Sequence, residues 1–267
     1  MATESDPPRM SLGFEEAAEV FESPSQKARV WTEGWVRSQL YCPSCGAERL
    51  NKKPNNSKVG DFACASCAEE FELKSQKGRF GTRVVDGAYG AMCERLQASN
   101  NPNLLLMNYD LGRLAVTDLV VVPKQFFVRE VIQQRKPLAA TARRAGWIGC
   151  NILLSEIPDA GKLFIVRNGL PLPKGTVLDR WRSTLFLRER PAEARGWLIE
   201  VMKCVEQLGR SQFTLEDMYG FEGRLTELYP GNRHIRPKIR QQLQVLRDQG
   251  QLDFVDHVPS RGVTAAV

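Results

Sequence analysis

The spacing of apolar residues predicts a helix near the start of the chain. In the stretch SPSQKARVWTEGWVRSQL, from about Ser25 to Leu40, apolar side chains recur mostly three or four positions apart, behind a Ser-Pro start. That period is typical of an amphipathic helix, and Ser-Pro is a common start signal. We therefore expect a helix whose apolar face packs against a sheet.

Short apolar runs further along predict buried strands. NLLLMNY, DLVVVP and KLFIVRN are too short for other buried elements, and DGAYGAMCERLQAS before them indicates a helix of about three turns. We also expect a strand ending near Asp61 and another through Phe71, Glu72, Leu73 and Lys74. Residues 124–151 are basic and irregular. This order predicts an α/β core with a mixed sheet.

The last part of the chain has the pattern of three helices and a hairpin. RGWLIEVMKCVEQL, FTLEDMYGFEGRLTELY and HIRPKIRQQLQVLRDQG predict the helices, with Thr214 and Asp217 spaced as an N-cap and Gly250 as a helix end. QLDFV and VTAAV, joined by the turn VPSRG, predict two strands. Together they predict a C-terminal winged helix-turn-helix domain. We divide the chain into residues 1–182 and 183–267.

Composition limits the class of protein. The chain has 267 residues, of which 42% are hydrophobic, enough for two modest domains with apolar cores. Its net charge of +6 favours a polyanionic partner, with an ordinary basic protein as the alternative. The opening residues MATESDPPRM lack the features of a signal peptide, and no run approaches the ~18 apolar residues of a membrane span. We expect a cytoplasmic monomer without membrane contact.

Four of the seven cysteines are spaced as metal ligands. Cys42 and Cys45 form one Cys-x-x-Cys pair, and Cys64 and Cys67 form a second. This spacing suits two turns that complete a tetrahedral, structural zinc site, with a redox dithiol as the alternative. With two histidines in the chain, a histidine-centred hydrolase is disfavoured. The other cysteines are expected to be small buried apolar residues: Cys93, Cys150 and Cys204.

An acidic and basic cluster adjoins the second cysteine pair. Glu72 and Lys74 project from one face of a strand, and Asp61 on an adjoining strand can join them. Two carboxylates can hold magnesium, and the lysine can orient or deprotonate water or offset transition-state charge. The pattern is weak alone, but its place between zinc turns favours phosphodiester hydrolysis. Glu69 and Glu70 compete for the carboxylate role, and we expect them to be solvated instead.

The third C-terminal helix has an outer face suited to DNA. The residues that point away from its apolar face are His234, Gln241 and Gln244, with Lys238 at the flank. Glutamine can pair bidentately with adenine in the major groove, and lysine can contact phosphate. A solvated helix face is the alternative, and the helix-turn-helix order favours DNA reading.

A tryptophan beside two cations marks the basic segment. Trp147 follows Arg143 and Arg144 in the stretch QRKPLAATARRAGWIGCN. Such a tryptophan is usually part of the core, but an exposed one can stack on a base, wedge into a base step or pack on a methyl group. The spacing leaves these alternatives open.

Seven stretches, in order from about residue 23 to residue 255, carry a family resemblance: SPSQKARVWTEGWV, DFACASCAEEFELKS, DGAYGAMCERLQASNNPN, VPKQFF, QRKPLAATARRAGWIGCN, FTLEDMYGF and HIRPKIRQQLQVLRDQGQLDF. They resemble the DpnI-like, methyl-directed type IIM restriction endonucleases. The resemblance implies an N-terminal PD-(D/E)xK nuclease domain with a zinc site and a C-terminal winged-helix domain, both of which bind DNA. It implies magnesium-dependent cleavage of both strands at GATC methylated on the adenine amine.

The resemblance also implies roles position by position. It assigns catalysis to Asp61, Glu72 and Lys74, with magnesium on the two carboxylates, and methyl sensing to Trp147. It assigns zinc to Cys42, Cys45, Cys64 and Cys67. Gly60 departs from the motif's nominal proline at a position we regard as tolerant, and residues 256–267 hold a single arginine for a wing. The alternatives are a zinc-containing winged-helix reader that does not cut, and a related enzyme with altered sequence preference.

Overall fold

The described residues fold into two compact units. A computed structural model describes residues 10–14, 23–54, 57, 59–98, 100–255 and 262–265. The first unit comprises segments within residues 1–84, 98–124 and 161–182, and the second comprises segments within 85–97, 125–160 and 183–267. The predicted boundary at residue 182 is one point where the chain passes between units. As a division into two domains it stays a prediction.

Helices and strands are interspersed along the chain, with several strands in succession after α1 and α2. The helices are α1 (Pro24–Gln39), α2 (Tyr89–Ala98), α3 (Lys174–Arg182), α4 (Ala192–Leu208), α5 (Leu215–Tyr219), α6 (Glu222–Leu228) and α7 (Ile235–Asp248). The strands are β1 (Asn51–Lys52), β2 (Phe62–Ala63), β3 (Glu70–Lys77), β4 (Arg83–Ala88), β5 (Asn103–Asp110), β6 (Ala115–Val122), β7 (Ile132–Gln134), β8 (Gly149–Leu153), β9 (Leu163–Arg167), β10 (Leu170–Pro171), β11 (Gln212–Thr214), β12 (Leu252–Val255) and β13 (Gly262–Ala265).

A mixed seven-stranded sheet forms the first unit, which confirms the predicted class. Its strand order is β1-β2-β3-β5-β6-β9-β10, with β3 and β5 parallel and the other pairs antiparallel. β5 is buried along nearly its whole length, as expected for a central strand covered on both faces. The predicted helix α1 packs on β3, where Thr32 and Ser75 share a 3.2 Å hydrogen bond.

The predicted strand ending near Asp61 is wrong in its position. β2 begins at Phe62, directly after Asp61. The cause is Gly60, whose φ of +62° turns the chain immediately before the aspartate. Phe62 and Phe71 then face each other across β2 and β3, and both are fully buried.

The second unit contains the predicted winged helix-turn-helix. The hydroxyl of Thr214 accepts a hydrogen bond from the N–H of Asp217, whose carboxylate accepts from the N–H of Thr214, so the predicted cap is a complete capping box. FTLEDMYGFEGRLTELY forms two helices, α5 and α6, rather than one. Gly250, with a φ of +66°, follows α7 as predicted. Most of the turn VPSRG lies outside the described residues, as does the opening stretch up to residue 9.

Two three-stranded sheets complete the second unit, with orders β4-β8-β7 and β11-β13-β12. The sequence pattern did not predict β7 and β8, which border the basic segment containing Trp147. Of the three cysteines predicted to be buried, Cys150 and Cys204 are buried, whereas Cys93 is partly exposed. Among the described residues, we find no helix with the length and apolar character to cross a membrane.

Candidate metal centres and nucleic-acid interface

The four cysteines of the predicted zinc site converge on one point. Sγ of Cys42 lies 3.7 Å from Sγ of Cys67, Sγ of Cys45 lies 3.6 Å from Sγ of Cys64, and all four sulfurs lie within 4.8 Å of one another. With Zn–S bonds of about 2.3 Å, the edge of a thiolate tetrahedron is about 3.8 Å. The cluster therefore fits a zinc ion, and four thiolates would leave it no open position for catalysis.

Both cysteine pairs are presented by turns of the same form. The N–H of Gly46 donates to the carbonyl of Cys42 at 2.8 Å, and the N–H of Ala68 donates to the carbonyl of Cys64 at 3.0 Å. Gly46 and Ala68 both have positive φ, at +81° and +58°. Glycine adopts this conformation without cost, whereas alanine is strained in it. The second turn therefore has the same geometry as the first, although the positive φ is unfavourable for Ala68.

Hydrogen bonds prepare one of these thiols to bind as a thiolate. Burial opposes ionisation of Cys64, but backbone N–H groups of Cys67 and Ser66 and the neighbouring thiols outweigh it and lower its pKa to about 7. Burial raises the pKa of Cys42, which is fully enclosed. A bound cation would favour the thiolate form of all four residues.

The structure brings the three predicted catalytic residues together. Oδ2 of Asp61 accepts a 2.8 Å hydrogen bond from the backbone N–H of Leu73. Leu73 stands between Glu72 and Lys74, and the carboxylate of Glu72 lies 2.6 Å from Nζ of Lys74. Those two side chains are 20% and 26% exposed, so water and a phosphate can reach them from one side. Glu72 and Lys74 therefore share one face of β3, and the carboxylate of Asp61 is bonded to the backbone between them.

The backbone of Asp61 is fixed on both sides. Its N–H donates to the carbonyl of Phe71 at 2.7 Å, and its carbonyl accepts from the N–H of Lys53 at 2.8 Å. A Cβ at Gly60 would lie 3.0 Å from the carbonyl oxygen of Phe71. Gly60 supplies no ligand, but its positive φ and this close approach make the position intolerant of other residues, contrary to expectation. A proline, with φ near −65°, cannot adopt this backbone.

An ion-pair cluster that sequence analysis missed lies beside Asp61. Glu33 on α1 is 8% exposed and binds Nε of Arg29 at 2.6 Å and Nζ of Lys52 at 2.7 Å. Lys52 pairs with Phe62, the residue after Asp61. Burial alone would raise the pKa of Glu33, but hydrogen bonds from Lys52 and Arg29 outweigh it, so its pKa is lowered. Glu33 raises the pKa of Arg29, and the charge of Asp61 adds to that rise. The cluster therefore lies within electrostatic reach of Asp61.

The expectation that Glu69 is solvated is wrong. Glu69 is 7% exposed, and its carboxylate accepts a 2.8 Å hydrogen bond from Nδ2 of Asn103 and lies 3.3 Å from Nζ of Lys124. Asn103 also binds the carbonyl of Glu70. These bonds tie the second zinc turn to β5. Glu70 is partly exposed and pairs with Lys53. Both glutamates therefore have structural partners.

The basic segment before β8 forms a closed loop with Trp147 at its base. The N–H of Leu138 donates to the carbonyl of Trp147 at 2.9 Å, and the N–H of Gly146 donates to the carbonyl of Leu138 at 3.0 Å. Trp147 is half-buried, and the guanidinium carbon of Arg144 lies 5.0 Å from its ring centre. An open pocket of about 520 Å³ is lined by Leu138, Ala142, Arg143 and Arg144. The loop therefore presents two arginines and the ring of a tryptophan close together.

Helix α7 has the two faces that the sequence predicts. Its buried face holds Ile239, Leu243 and Leu246, and the exposed residues on the other side include His234, Gln241 and Gln244. Lys238 at the flank is half-buried, with Nζ 5.9 Å from the ring centre of Trp197. α7 follows α6 after residues 229–234, and a helix in this position with amide side chains on its free face has the form of a recognition helix.

Comparison with known protein families matches nearly the whole described chain. A family model described as DpnI, the Dam-replacing family, matches residues 10–190. A second model, described as the Dam-replacing HTH domain, matches residues 193–261. The first match contains the four-cysteine cluster, Asp61, Glu72, Lys74 and Trp147, and the second contains α7. The helix-turn-helix match, with the basic charge of the chain, identifies a DNA-binding protein.

Proposed function

The chain belongs to the Dam-replacing, DpnI-like family, and from that premise we propose that it is a modification-dependent type II restriction endonuclease. Its substrate is double-stranded DNA containing GATC with N6-methyladenine, and its reaction is magnesium-dependent hydrolysis of a phosphodiester in each strand. The observation that carries the proposal is the convergence of Asp61, Glu72 and Lys74. Reading DNA alone requires no such group on a half-buried strand.

Asp61 and Glu72 are the residues that would hold magnesium. Magnesium in phosphoryl-transfer sites commonly takes one or two carboxylates together with phosphate oxygens, and Asp61 is bonded to the backbone of Leu73, the residue after Glu72. When bound, the ion would polarise the phosphate and lower the pKa of water. The oxygen of a water molecule forms a bond to phosphorus and loses a proton to solvent, one ester P–O bond breaks, and the leaving oxygen takes up a proton from solvent. The ammonium of Lys74 offsets negative charge on the phosphate as this happens.

Two regions would choose the DNA site. The outer face of α7, with His234, Gln241 and Gln244, would read base edges while Lys238 contacts phosphate. In the closed loop, Arg143 and Arg144 would contact phosphate and Trp147 would meet the adenine methyl group. We propose that residues 1–182 form the nuclease domain and residues 183–267 the winged-helix domain.

One digestion experiment tests the proposal. The purified protein is incubated with Mg²⁺ and matched plasmids whose GATC sites are methylated, hemimethylated or unmethylated. We expect linearisation of the methylated plasmid, with less cleavage or none of the others. Equal cleavage of all three plasmids would overturn the proposed dependence on methylation. Cleavage of methylated plasmids at another sequence would overturn the proposed specificity for GATC.

The rival function is a zinc-containing methyl-DNA reader that does not cut. The same samples separate it from the nuclease, because a reader would retain binding to methylated duplexes in a mobility-shift assay while leaving every plasmid intact. That outcome would leave Lys74 without a catalytic purpose.

A further inference from the structure

A glycine on β8 lies directly against the ring of Trp147. A Cβ added to Gly149 would stand 2.8 Å from both Cη2 and Cζ3 of the indole. Non-bonded carbons are most favourable at about 3.5–4.0 Å, so the ring and a side chain at position 149 cannot share this space. Gly149 does not have a positive φ, so its backbone conformation is open to other residues. The obstacle to a larger residue is therefore the tryptophan ring.

Hydrogen bonds hold the backbone around Gly149 and Trp147, so a side chain at position 149 would displace the indole ring. The N–H of Arg135 donates to the carbonyl of Gly149 at 3.0 Å, which fixes β8 on the preceding segment. Trp147 is held at its carbonyl by Leu138 and at its N–H by the carbonyl of Arg144, at 2.9 Å and 3.0 Å. Nη1 of Arg135 would lie 3.5 Å from the new Cβ, which is an ordinary contact. An added methyl would therefore tilt the indole and leave the backbone in place.

We propose that Gly149 is a positioning residue for methyl recognition, because its missing side chain lets the outer edge of Trp147 lie back against β8. The inference rests on the proposed function, in which Trp147 meets the adenine methyl group. Arg144 packs over the ring, but Arg143 is exposed and its charge, with the net charge of +6 on the chain, does not depend on the tilt of the ring. Moving the ring should therefore weaken discrimination between methylated and unmethylated DNA while general DNA affinity survives.

Binding to fully methylated and unmethylated GATC duplexes, measured by fluorescence anisotropy without Mg²⁺, tests the inference on the full chain. One methyl group buried in an apolar contact is worth about fourfold in affinity. Gly149→Ala should lower the ratio of methylated to unmethylated affinity by about that factor for each methyl that Trp147 meets. Gly90→Ala is the matched control, since its Cβ would meet nothing within 4 Å, and it should keep the wild-type ratio.

A double-mutant cycle with Trp147→Phe separates positioning from general damage. Phenylalanine lacks the outer indole carbons that the new methyl would strike, so Gly149→Ala should change the ratio little in that background. A thermal melt of each variant confirms that it is folded. An unchanged ratio in Gly149→Ala, or an equal loss in both backgrounds, overturns the inference alone. A wild-type protein without methyl preference overturns the proposed function and this inference with it.

Discussion

The backbone N–H of Leu73 donates a 2.8 Å hydrogen bond to Oδ2 of Asp61, twelve residues earlier in the chain. Leu73 makes this bond from the strand position between Glu72 and Lys74. The aspartate is thus aligned by the register of β2 on β3, in which Phe62 pairs with Phe71. Because a slip of one residue would turn the strand faces over, packing of the two buried phenylalanines protects the geometry of the polar site.

Asp61→Asn should abolish cleavage and spare binding. Asparagine can still accept the hydrogen bond of Leu73, so the hairpin should fold, but a neutral amide is a poor magnesium ligand. We expect the single-turnover cleavage rate on methylated plasmid to fall by about a thousandfold, as when one electrostatic group leaves a catalytic site. Affinity for the methylated duplex without Mg²⁺ should be unchanged.

Asp179→Asn is the control for that variant. Asp179 is exposed on α3, where it pairs with Arg182 at 2.7 Å, and its loss should leave the rate at the wild-type value. Normal nicking by Asp61→Asn would show that the catalytic site is misplaced.

Cys64→Ser should release the metal and loosen the hairpin that carries Asp61. Zinc binding to a thiolate site contributes directly to folding, so removing one ligand should lower the thermal midpoint by about 5 °C or more. Metal analysis should find one zinc per wild-type chain and much less in the variant. Cys93→Ser, which lies outside the cluster, should keep its zinc. A variant with no zinc and full thermal stability would contradict a structural role for the metal.

Local patterns predicted the parts of this molecule that depend on neighbours in sequence. Cys42 and Cys45 lie within one turn. The spacing of Ile239 and Leu243 predicts which face of α7 is buried. The alternation of Glu72 and Lys74 likewise follows from a single strand. In each case the period of the backbone alone decides which side chains share a face.

Features that depend on strand register were missed. Glu69 is buried because Asn103 and Lys124, distant in sequence, reach its carboxylate. Glu33 meets Lys52 because α1 packs against the short strand β1. Both glutamates are ordinary charged residues when the sequence is considered alone, and no local pattern indicates their partners. Strands of two or three residues such as β7 and β10 are also too short to show a period.

Glu33→Gln should destabilise the protein in a pH-dependent way. The pKa of Glu33 is lowered by Lys52 and Arg29, so its ionised form contributes stability above the ordinary carboxyl pKa, and that contribution is lost as pH falls through the folded value. We expect the variant to lose about 2 kcal/mol at pH 7, the scale of a charged hydrogen bond. Urea denaturation at pH 7 and near pH 3 should show that the difference in free energy of unfolding between wild type and variant is smaller in acid. Glu48→Gln, at an exposed position, should have the wild-type free energy of unfolding at both pH values. An equal loss of stability at both pH values in Glu33→Gln would refute the ion-pair account.

Gln244→Ala should weaken sequence recognition rather than general DNA binding. Gln244 is exposed on the outer face of α7, opposite the buried Leu246, and a glutamine that pairs with adenine contributes about 1–3 kcal/mol of discrimination. Affinity for a methylated GATC duplex should fall about thirtyfold, the middle of that range. Affinity for an unrelated methylated duplex should not change, and because no charge is removed, the salt dependence should stay the same. Gln249→Ala, just beyond the end of α7, is the matched control. Equal losses on both duplexes would mean that Gln244 supports the helix without reading a base.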